Sequence, residues 1–131
     1  MAKVLVVEDD VDIRGLVETR LRRHGHRVVS VGSGEEALAA IAAKGAPEVA
    51  VLDVLMAGIS GLDLLRTLRD DPHTADVQAV FLSGRIQESD IEAGRALGAT
   101  YLTKPLVLSA LVAAVDAAAD AAADATSTGT W

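Results

Sequence analysis

Polar residues that could carry out chemistry follow four short apolar runs in this sequence. Asp53 ends the apolar run that begins at Val49, and Glu8 and Asp9 follow the first run of the chain. Ser83 and Lys104 come directly after two further runs. If these runs are parallel strands, the polar residues collect at one edge of a sheet. Carboxylates, a hydroxyl and an ammonium group at such an edge are typical of phosphoryl transfer, with Asp53 as the nucleophile.

Three carboxylates that share one sheet edge repel one another unless a cation lies among them. Oxygen ligands without histidine or cysteine suit Mg²⁺, Mn²⁺ or Ca²⁺, and an open crevice with few protein ligands favours Mg²⁺. Each residue also has an ordinary role: Asp53 and Ser83 could cap turns, Lys104 could be a solvated surface lysine, and Glu8 and Asp9 could belong to a solvated acidic loop. Their joint placement on four strand ends is what favours the site.

The elements that position these residues alternate strictly along the chain. Strands are predicted at 3–7, 27–31, 49–52, 77–82 and 100–103, and helices at 11–23, 33–44, 60–70, 89–97 and from about 107 into the 120s. Ser33 with Glu36, and Ser89 with Glu92, form capping boxes that mark two helix starts. The alternation predicts an α/β fold, a doubly wound (flavodoxin-like) parallel sheet of five strands in the order 2-1-3-4-5 with five helices. In that order the first and third strands are neighbours.

Composition limits the class of protein. The 131 residues are 50% hydrophobic, carry a net charge of −7 and include no cysteine. We expect one domain over residues 1–124 and a short polar tail over 125–131. The negative charge argues against direct binding to nucleic acid or to an anionic membrane. The N-terminus becomes acidic too early for a signal peptide, no charge-free apolar stretch reaches the ~20 residues of a membrane span, and the lack of cysteine fits a reducing compartment, so a cytoplasmic location is expected.

The sequence resembles the receiver domains of bacterial two-component response regulators, in particular chemotaxis-type regulators, from residue 3 to about 120. The matching segments are VLVVEDD at 4–10, DIR at 12–14, GEEAL at 34–38, VLD at 51–53, SGLDLLR at 60–66, FLSG at 81–84 and GATYLTKP at 98–105. The resemblance implies a signalling switch rather than an enzyme. Such a domain takes a phosphoryl group from a histidine kinase or a histidine phosphotransfer protein, catalyses only its own phosphorylation and dephosphorylation, and changes conformation to signal to a target protein.

The resemblance also implies a role for individual residues. Asp53 is the phosphoacceptor, and Asp9, Asp53 and the backbone carbonyl of Leu55 hold Mg²⁺, with Glu8 acting through water. Ser83 and Tyr101 are the switch residues. Lys104 pairs with the phosphoryl group, and the Lys104–Pro105 peptide bond is expected to be cis. The kinase is expected to dock at the start of the first helix and on the loop after the fifth strand, at Asp12, Ile13, Leu16, Pro105 and Leu106. For either Ile13 or Leu16, packing on the sheet is the alternative role.

Two other functions compete with this interpretation. A haloacid-dehalogenase-like phosphatase also uses an aspartate nucleophile with Mg²⁺, but it needs a second aspartate two residues later, where this chain has Leu55. A degenerate receiver would serve only as an interaction module, yet this chain carries the phosphoacceptor aspartate, the metal-ligand residues and the lysine that such a domain needs. Departures from the family pattern at Ala57, Gly84 and Leu106 remove no catalytic group.

The fifth predicted helix bears on self-association. Its charged residues are all aspartates spaced four apart, at Asp116, Asp120 and Asp124. Carboxylates at that spacing repel one another. We therefore expect a monomer rather than the salt-bridged dimer of receivers that belong to winged-helix transcription factors. An apolar surface around Leu108, Leu111 and Val115 would remain for a partner unless the sheet buries it.

Overall fold

The computed structural model describes residues 2–54, 56, 58–83, 88–103 and 106–122, with the backbone alone at 88–90. Strands and helices alternate as β1 (Lys3–Val7), α1 (Val11–Arg23), β2 (Arg27–Val31), α2 (Gly34–Lys44), β3 (Val49–Asp53), α3 (Gly61–Asp70), β4 (Gln78–Ser83), α4 (Glu88–Ala96), β5 (Thr100–Thr103) and α5 (Leu108–Ala122). The predicted alternation is therefore confirmed. Where a predicted boundary of a helix or strand differs from the observed one, the difference is one residue.

The five strands form one parallel sheet in the order β2-β1-β3-β4-β5, which confirms the predicted topology. Val7 of β1 lies opposite Leu52 of β3, and Asp53 lies opposite Leu82 of β4. The residue after Val7 therefore lies beside Asp53, and the residue after Leu82 lies just beyond it. Since all strands run in the same direction, their carboxyl ends meet at one edge of the sheet.

Aliphatic residues bury both faces of the sheet, because neighbouring residues of a strand point to opposite faces. On one face α2, α3 and α4 cover a cluster whose centre is Leu5, Leu52, Leu64, Leu65 and Phe81. On the other face α1 and α5 cover a cluster that includes Val6, Val51, Leu21, Leu111 and Val115. The sheet thus buries Leu111 and Val115, so these two residues do not form the apolar surface that was expected to remain on the fifth helix.

Side chains cap the starts of α1 and α2. The carboxylate of Asp10 accepts hydrogen bonds from the backbone N–H groups of Asp12 and Ile13, at 2.9 and 3.1 Å, and so caps α1. Ser33 caps α2 as predicted, because its hydroxyl accepts from the Glu36 N–H at 3.1 Å. The Glu36 carboxylate accepts from the N–H of Gly32, the residue before the cap, at 2.9 Å, and not from the N–H of Ser33 that a capping box requires.

The second predicted capping box, at Ser89 and Glu92, is wrong. The fourth helix begins at Glu88, one residue before Ser89, so Ser89 lies inside the helix and not before its first residue. Serine and glutamate at this spacing also occur near the start of a helix that begins earlier. The backbone N–H groups of the first turn have no partner within the helix, so polar side chains are favourable there.

The guanidinium of Arg69 at the end of α3 links three parts of the fold. Its Nε donates to the carbonyl oxygen of Leu97 at 2.9 Å, and its Nη1 donates to the carbonyl oxygens of Ala75 and Val77 at 3.0 and 2.6 Å. Burial lowers the pKa of Arg69, although the neighbouring charge of Asp76 opposes this effect. One side chain therefore joins α3, the segment that enters β4 and the segment that leaves α4.

Two histidines and one aspartate join the end of α1 and the start of β2 to α5. The backbone N–H of Ala2 donates to Nδ1 of His26 at 3.1 Å, so the proton of a neutral His26 ring is on Nε2, which lies 2.9 Å from Asp116 Oδ1. Nε2 of His24 lies 2.9 Å from the other oxygen of Asp116. The first aspartate of α5 therefore has two histidine partners, which the charge pattern of the helix does not indicate.

We expect Asp116→Asn to destabilise the protein by roughly 0.2–1 kcal/mol near pH 6, the range of partly exposed ion pairs. Burial alone would raise the pKa of Asp116, but hydrogen bonds from His26 and His24, with the charge of both rings, lower it below the usual 3.8. A lowered pKa contributes stability above the usual value, and that contribution is lost as the pH falls through the lowered pKa. Urea unfolding should show a difference at pH 6 that is smaller at pH 3 and is lost once the pH lies below the lowered pKa of Asp116.

Asp120→Asn is the matched control for this prediction, because Asp120 is exposed on the same helix. It should change the free energy of unfolding little at either pH. A destabilisation of Asp116→Asn that is as large at pH 3 as at pH 6 would contradict the role of the carboxylate charge.

Candidate functional site

Three carboxylates meet at the carboxyl edge of the sheet, as predicted. Oxygen atoms of Glu8, Asp9 and Asp53 all lie within 4.8 Å of one another. Glu8 is fully buried, Asp53 is only 6% exposed and Asp9 is exposed. Burial of like charges at this separation is unfavourable unless a cation or donors compensate them. A set of hard oxygen donors that opens to solvent on one side fits Mg²⁺, which binds through one or two carboxylates and keeps several water ligands.

The backbone around Glu8 holds this edge in place. The backbone N–H of Glu8 donates to the carbonyl oxygen of Val31 at 3.1 Å, and the carbonyl oxygen of Glu8 accepts from Nη1 of Arg14 at 3.1 Å. The Glu8 carboxylate accepts from the N–H of Asp10 at 3.4 Å. Arg14 thus brings a positive charge next to the acidic cluster. Its spacing on α1 gives no signal of this role, because the contact depends on how α1 packs against β2.

A close backbone contact fixes the chain after Asp53. The N–H of Val54 donates to the carbonyl oxygen of Leu82 at 3.2 Å, and the N–H of Gly61 donates to the carbonyl oxygen of Val54 at 3.0 Å. A Cβ atom at Gly61 would overlap the backbone carbonyl oxygen of Asp53. Glycine at the first position of α3 therefore allows the loop after Asp53 to fold back onto the strand end.

We expect Gly61→Ala to lower the free energy of unfolding by about 1–3 kcal/mol, because the overlap is with backbone that cannot rotate away. It should also weaken Mg²⁺ binding, since relief of the overlap displaces Asp53. Urea unfolding and calorimetric titration with Mg²⁺ measure the two effects. Gly15→Ala is the control: a Cβ atom there meets nothing within 4 Å, so the variant should be more stable than wild type. A Gly61→Ala variant that unfolds and binds Mg²⁺ like wild type would contradict this account.

The two predicted switch residues lie on the neighbouring strands β4 and β5. Ser83 ends β4, is buried and follows the residue paired with Asp53. The ring of Tyr101 stacks on Phe81, with ring centroids 5.0 Å apart and planes at 26°. A Cβ atom at Gly94 of α4 would overlap the Tyr101 hydroxyl. Tyr101 therefore packs between β4 and α4. The glycine at position 94 of α4 leaves the space that the Tyr101 hydroxyl occupies.

The residues predicted for kinase docking have different environments. Asp12 is exposed and Leu16 is 57% exposed, whereas Ile13 and Leu106 are partly buried and pack against the core. Of the two α1 residues for which core packing was the alternative, Ile13 therefore contacts the core and Leu16 faces solvent. Three of the predicted site residues lie outside the described residues, namely Leu55, Lys104 and Pro105.

Comparison with known proteins identifies this arrangement. The family profile of the response regulator receiver domain matches residues 4–116. The chain belongs to this family. As a receiver domain it is part of two-component signalling. Receiver domains are signalling domains and are generally not enzymes. The alternative of a haloacid-dehalogenase-like phosphatase is not favoured.

Relatives and solved structures agree with this assignment. PilH of Pseudomonas aeruginosa is 32% identical over 107 residues, which cover 81% of this chain and 88% of PilH. The transcriptional regulatory protein AfsQ1 of Streptomyces coelicolor is 36% identical over 107 residues, which cover 81% of this chain but 46% of AfsQ1. The crystallised chemotaxis protein CheY4 of Vibrio cholerae has a TM-score of 0.82 and 28% identity, with 90% of this chain and 98% of that chain covered. The receiver domain thus spans most of some relatives and about half of others.

The described part of the receiver domain contains no helix that is both long enough and apolar enough to cross a membrane.

Proposed function

We propose that this receiver domain is a phosphorylation-driven switch whose acceptor is Asp53. The observation that carries the proposal is the buried Asp53 carboxylate at a strand end, within 4.8 Å of Glu8 and Asp9. Ser83 follows the residue of β4 paired with Asp53. A nucleophile, a cation site and a hydroxyl next to one another are the parts that phosphoryl transfer to a carboxylate needs.

The donor is a phosphohistidine on a histidine kinase or a histidine phosphotransfer protein. A carboxylate oxygen of Asp53 attacks the phosphorus, the phosphorus–nitrogen bond breaks, and the imidazole nitrogen keeps the electron pair. The product is an acyl phosphate on Asp53. Attack of water on its phosphorus releases inorganic phosphate and restores the carboxylate, and this self-hydrolysis is the only turnover that we assign to the domain.

Mg²⁺ is the proposed cofactor, held by Asp9, Asp53 and the backbone carbonyl of Leu55, with Glu8 acting through water. When bound, it neutralises the negative charge on the phosphoryl oxygens. The three carboxylates fit this role because they would otherwise repel one another. Lys104, which follows β5 in the sequence, is proposed to pair with the phosphoryl group as a second positive charge.

The signal is proposed to travel through Ser83 and Tyr101. The Ser83 hydroxyl donates to a phosphoryl oxygen, and the movement of β4 that follows changes the packing of Tyr101 between Phe81 and Gly94. The face formed by α4 and β5 then differs between the two states and is recognised by a downstream protein. We assign the domain to the cytoplasm, where the kinase domains of two-component systems have access to ATP.

Incubation of the purified protein with acetyl phosphate separates this function from its alternatives. The proposed switch gains one phosphoryl group per chain, only with a divalent metal, and peptide mass spectrometry places it on Asp53. A phosphatase would release inorganic phosphate over many turnovers without a stable label. A degenerate receiver would show neither label nor release, and either of these last two outcomes would overturn the proposal.

A further inference from the structure

Arg14 is a half-buried cation beside the acidic cluster, and its hydrogen-bond acceptor is a neutral backbone oxygen. Its Nη1 donates to the carbonyl oxygen of Glu8 at 3.1 Å. No salt bridge involves Arg14 among the residues that the structure describes, whereas Arg22 of the same helix pairs with Glu18 at 3.3 Å. A neutral donor could satisfy a carbonyl oxygen, so the hydrogen bond alone does not call for a charge. The charge does lower the repulsion among the neighbouring carboxylates.

The hydrogen bond from Arg14 holds the peptide group that joins two of the three clustered carboxylates. The carbonyl of Glu8 and the N–H of Asp9 belong to one planar peptide group. The N–H of Glu8 belongs to the preceding peptide group and donates to the carbonyl oxygen of Val31 at 3.1 Å. Both peptide groups that flank the Cα atom of Glu8 are thus held, one by the end of β2 and the other by Arg14.

Asp9 depends on this backbone bond more than the other two members of the cluster do. Glu8 is fully buried, and its carboxylate also accepts from the N–H of Asp10 at 3.4 Å. Asp53 is buried at the end of β3. Asp9 is exposed, and within the described ranges no donor lies at hydrogen-bond distance from its carboxylate. The carboxylate of Asp9 therefore takes its direction from the peptide group that Arg14 holds.

Gly32, in the loop after β2, leaves the space through which Arg14 reaches Glu8. A Cβ atom at Gly32 would lie 2.6 Å from Nη1 of Arg14 and 3.8 Å from Oε2 of Glu36. The φ angle of Gly32 is not in the left-handed region, so the backbone conformation does not require glycine. Its N–H donates to the Glu36 carboxylate at 2.9 Å, a bond that any residue other than proline can make. Room for the guanidinium is therefore what glycine provides at this position.

We propose that Arg14 is a positioning residue that makes the acidic cluster selective for Mg²⁺ over Ca²⁺, and that its charge compensates the cluster while no metal is bound. The inference rests on the proposed function, because Mg²⁺ at this cluster is the cofactor proposed there. Mg²⁺ demands near-ideal octahedral geometry, whereas Ca²⁺ accepts more oxygen ligands in flexible arrangements. Carboxylates that are held in fixed directions therefore favour Mg²⁺, and carboxylates that can turn favour Ca²⁺.

The selectivity between the two ions separates the position of the carboxylates from their charge. The charge of Arg14 opposes the binding of both ions nearly equally, because each carries two positive charges. Loss of the bond to the Glu8 carbonyl oxygen, in contrast, weakens Mg²⁺ binding more than Ca²⁺ binding. The ratio of the dissociation constant for Ca²⁺ to that for Mg²⁺ cancels the effect of the charge and measures the positioning.

Calorimetric titration of the purified protein with each ion gives this ratio. We expect Arg14→Met to lower the ratio about tenfold, the loss typical when a group that orients a metal ligand is removed. Arg14→Lys keeps a charged donor that reaches nearly as far, so it should retain the ratio within about threefold. Arg22→Met is the matched control, because Arg22 donates to the carbonyl oxygen of Val28 at 3.0 Å, away from the cluster, and it should leave the ratio unchanged. A ratio for Arg14→Met within about twofold of wild type would overturn the proposal.

Gly32→Ala tests the same bond from another part of the fold. Its methyl group should displace the guanidinium of Arg14 and lower the ratio in the same direction as Arg14→Met, by a smaller factor. The double variant with Arg14→Met should then have the ratio of Arg14→Met alone, because alanine has no guanidinium to displace. Losses that multiply in the double variant, or a wild-type ratio for Gly32→Ala, would contradict the proposed contact.

Urea unfolding in EDTA gives a second readout that needs no metal, and circular dichroism shows that each variant is folded. Without the charge of Arg14 the three carboxylates repel one another more strongly. Arg14→Met should therefore unfold at a lower urea concentration than Arg14→Lys, and the difference should shrink as the ionic strength rises. A difference that does not respond to salt would overturn the part of the proposal that concerns charge.

Failure of this inference can be distinguished from failure of the proposed function. If acetyl phosphate labels Asp53 in the presence of Mg²⁺ and Arg14→Met keeps the wild-type ratio, the role of Arg14 is wrong and the switch stands. If the wild type binds neither ion and Asp53 takes no label, the proposed function is wrong and this inference fails with it.

Discussion

Replacement of Asp53 by asparagine is expected to reduce phosphorylation by acetyl phosphate at least 100-fold. The carboxylate of Asp53 lies at the end of β3 and is 6% exposed, next to Glu8, Asp9 and Ser83. An amide has nearly the same size, so the packing is kept, but its oxygen is a much poorer nucleophile than a carboxylate oxygen and its nitrogen offers no ligand to a metal. The initial rate of label incorporation in the presence of Mg²⁺ measures the effect.

Asp70→Asn is the matched control for the acceptor prediction, because Asp70 is an exposed aspartate at the end of α3, away from the cluster. It should label at the wild-type rate. Asp53→Asn should remain folded by circular dichroism, so that the loss is one of chemistry. Incorporation by Asp53→Asn at the wild-type rate would show that another residue is the acceptor.

Replacement of Asp9 by asparagine is expected to reverse the order of stabilities of the two proteins when Mg²⁺ is added. Without metal, the substitution removes one of three mutually repelling carboxylates and should raise the free energy of unfolding by up to about 1 kcal/mol, a small value because Asp9 is exposed. With Mg²⁺, the wild type gains the free energy of metal binding, and the variant gains much less. Labelling by acetyl phosphate should slow about 100-fold.

Asp10→Asn separates the metal cluster from the neighbouring helix cap. Asp10 is adjacent in sequence, but its carboxylate accepts from the N–H groups of Asp12 and Ile13. Asparagine caps helices about as well as aspartate, so this variant should keep the wild-type response to Mg²⁺. Urea unfolding of wild type, Asp9→Asn and Asp10→Asn, each in EDTA and in saturating Mg²⁺, gives the six free energies to be compared. An Asp9→Asn protein that Mg²⁺ stabilises as strongly as wild type would contradict the assignment of Asp9 as a ligand.

The position of the acidic cluster could be predicted from sequence because it depends on very little. Parallel strands have their carboxyl ends at one edge, so the placement of Glu8 and Asp53 after apolar runs is sufficient to bring them together once the strand order is known. The strand order itself followed from five alternating β–α units. The location of a side chain within one or two residues of a strand end can be predicted without knowing how the helices are oriented on the sheet.

Contacts that depend on how a helix is rotated against the sheet could not be predicted. His26 and Asp116 are 90 residues apart in the sequence, and neither carries a local signal of the other. The carbonyl partners of Arg69 are likewise set by the ends of other elements. The steric reason for Gly61 appears only when the loop after Asp53 is seen against the start of α3.

The bonds of Arg69 also determine how α4 can move when the domain switches. Arg69 holds the carbonyl oxygen of Leu97, just after the last residue of α4, and the segment that enters β4. As long as these bonds persist, they oppose translation of α4 along the sheet and favour a pivot about its C-terminal end. Over its nine residues the lever arm is about 13 Å, so a tilt of about 10° displaces the first turn by about 2 Å and leaves Leu97 nearly still. We therefore expect a downstream protein that reads the state of this domain to obtain its largest signal at the N-terminal end of α4, the end joined in sequence to Ser83.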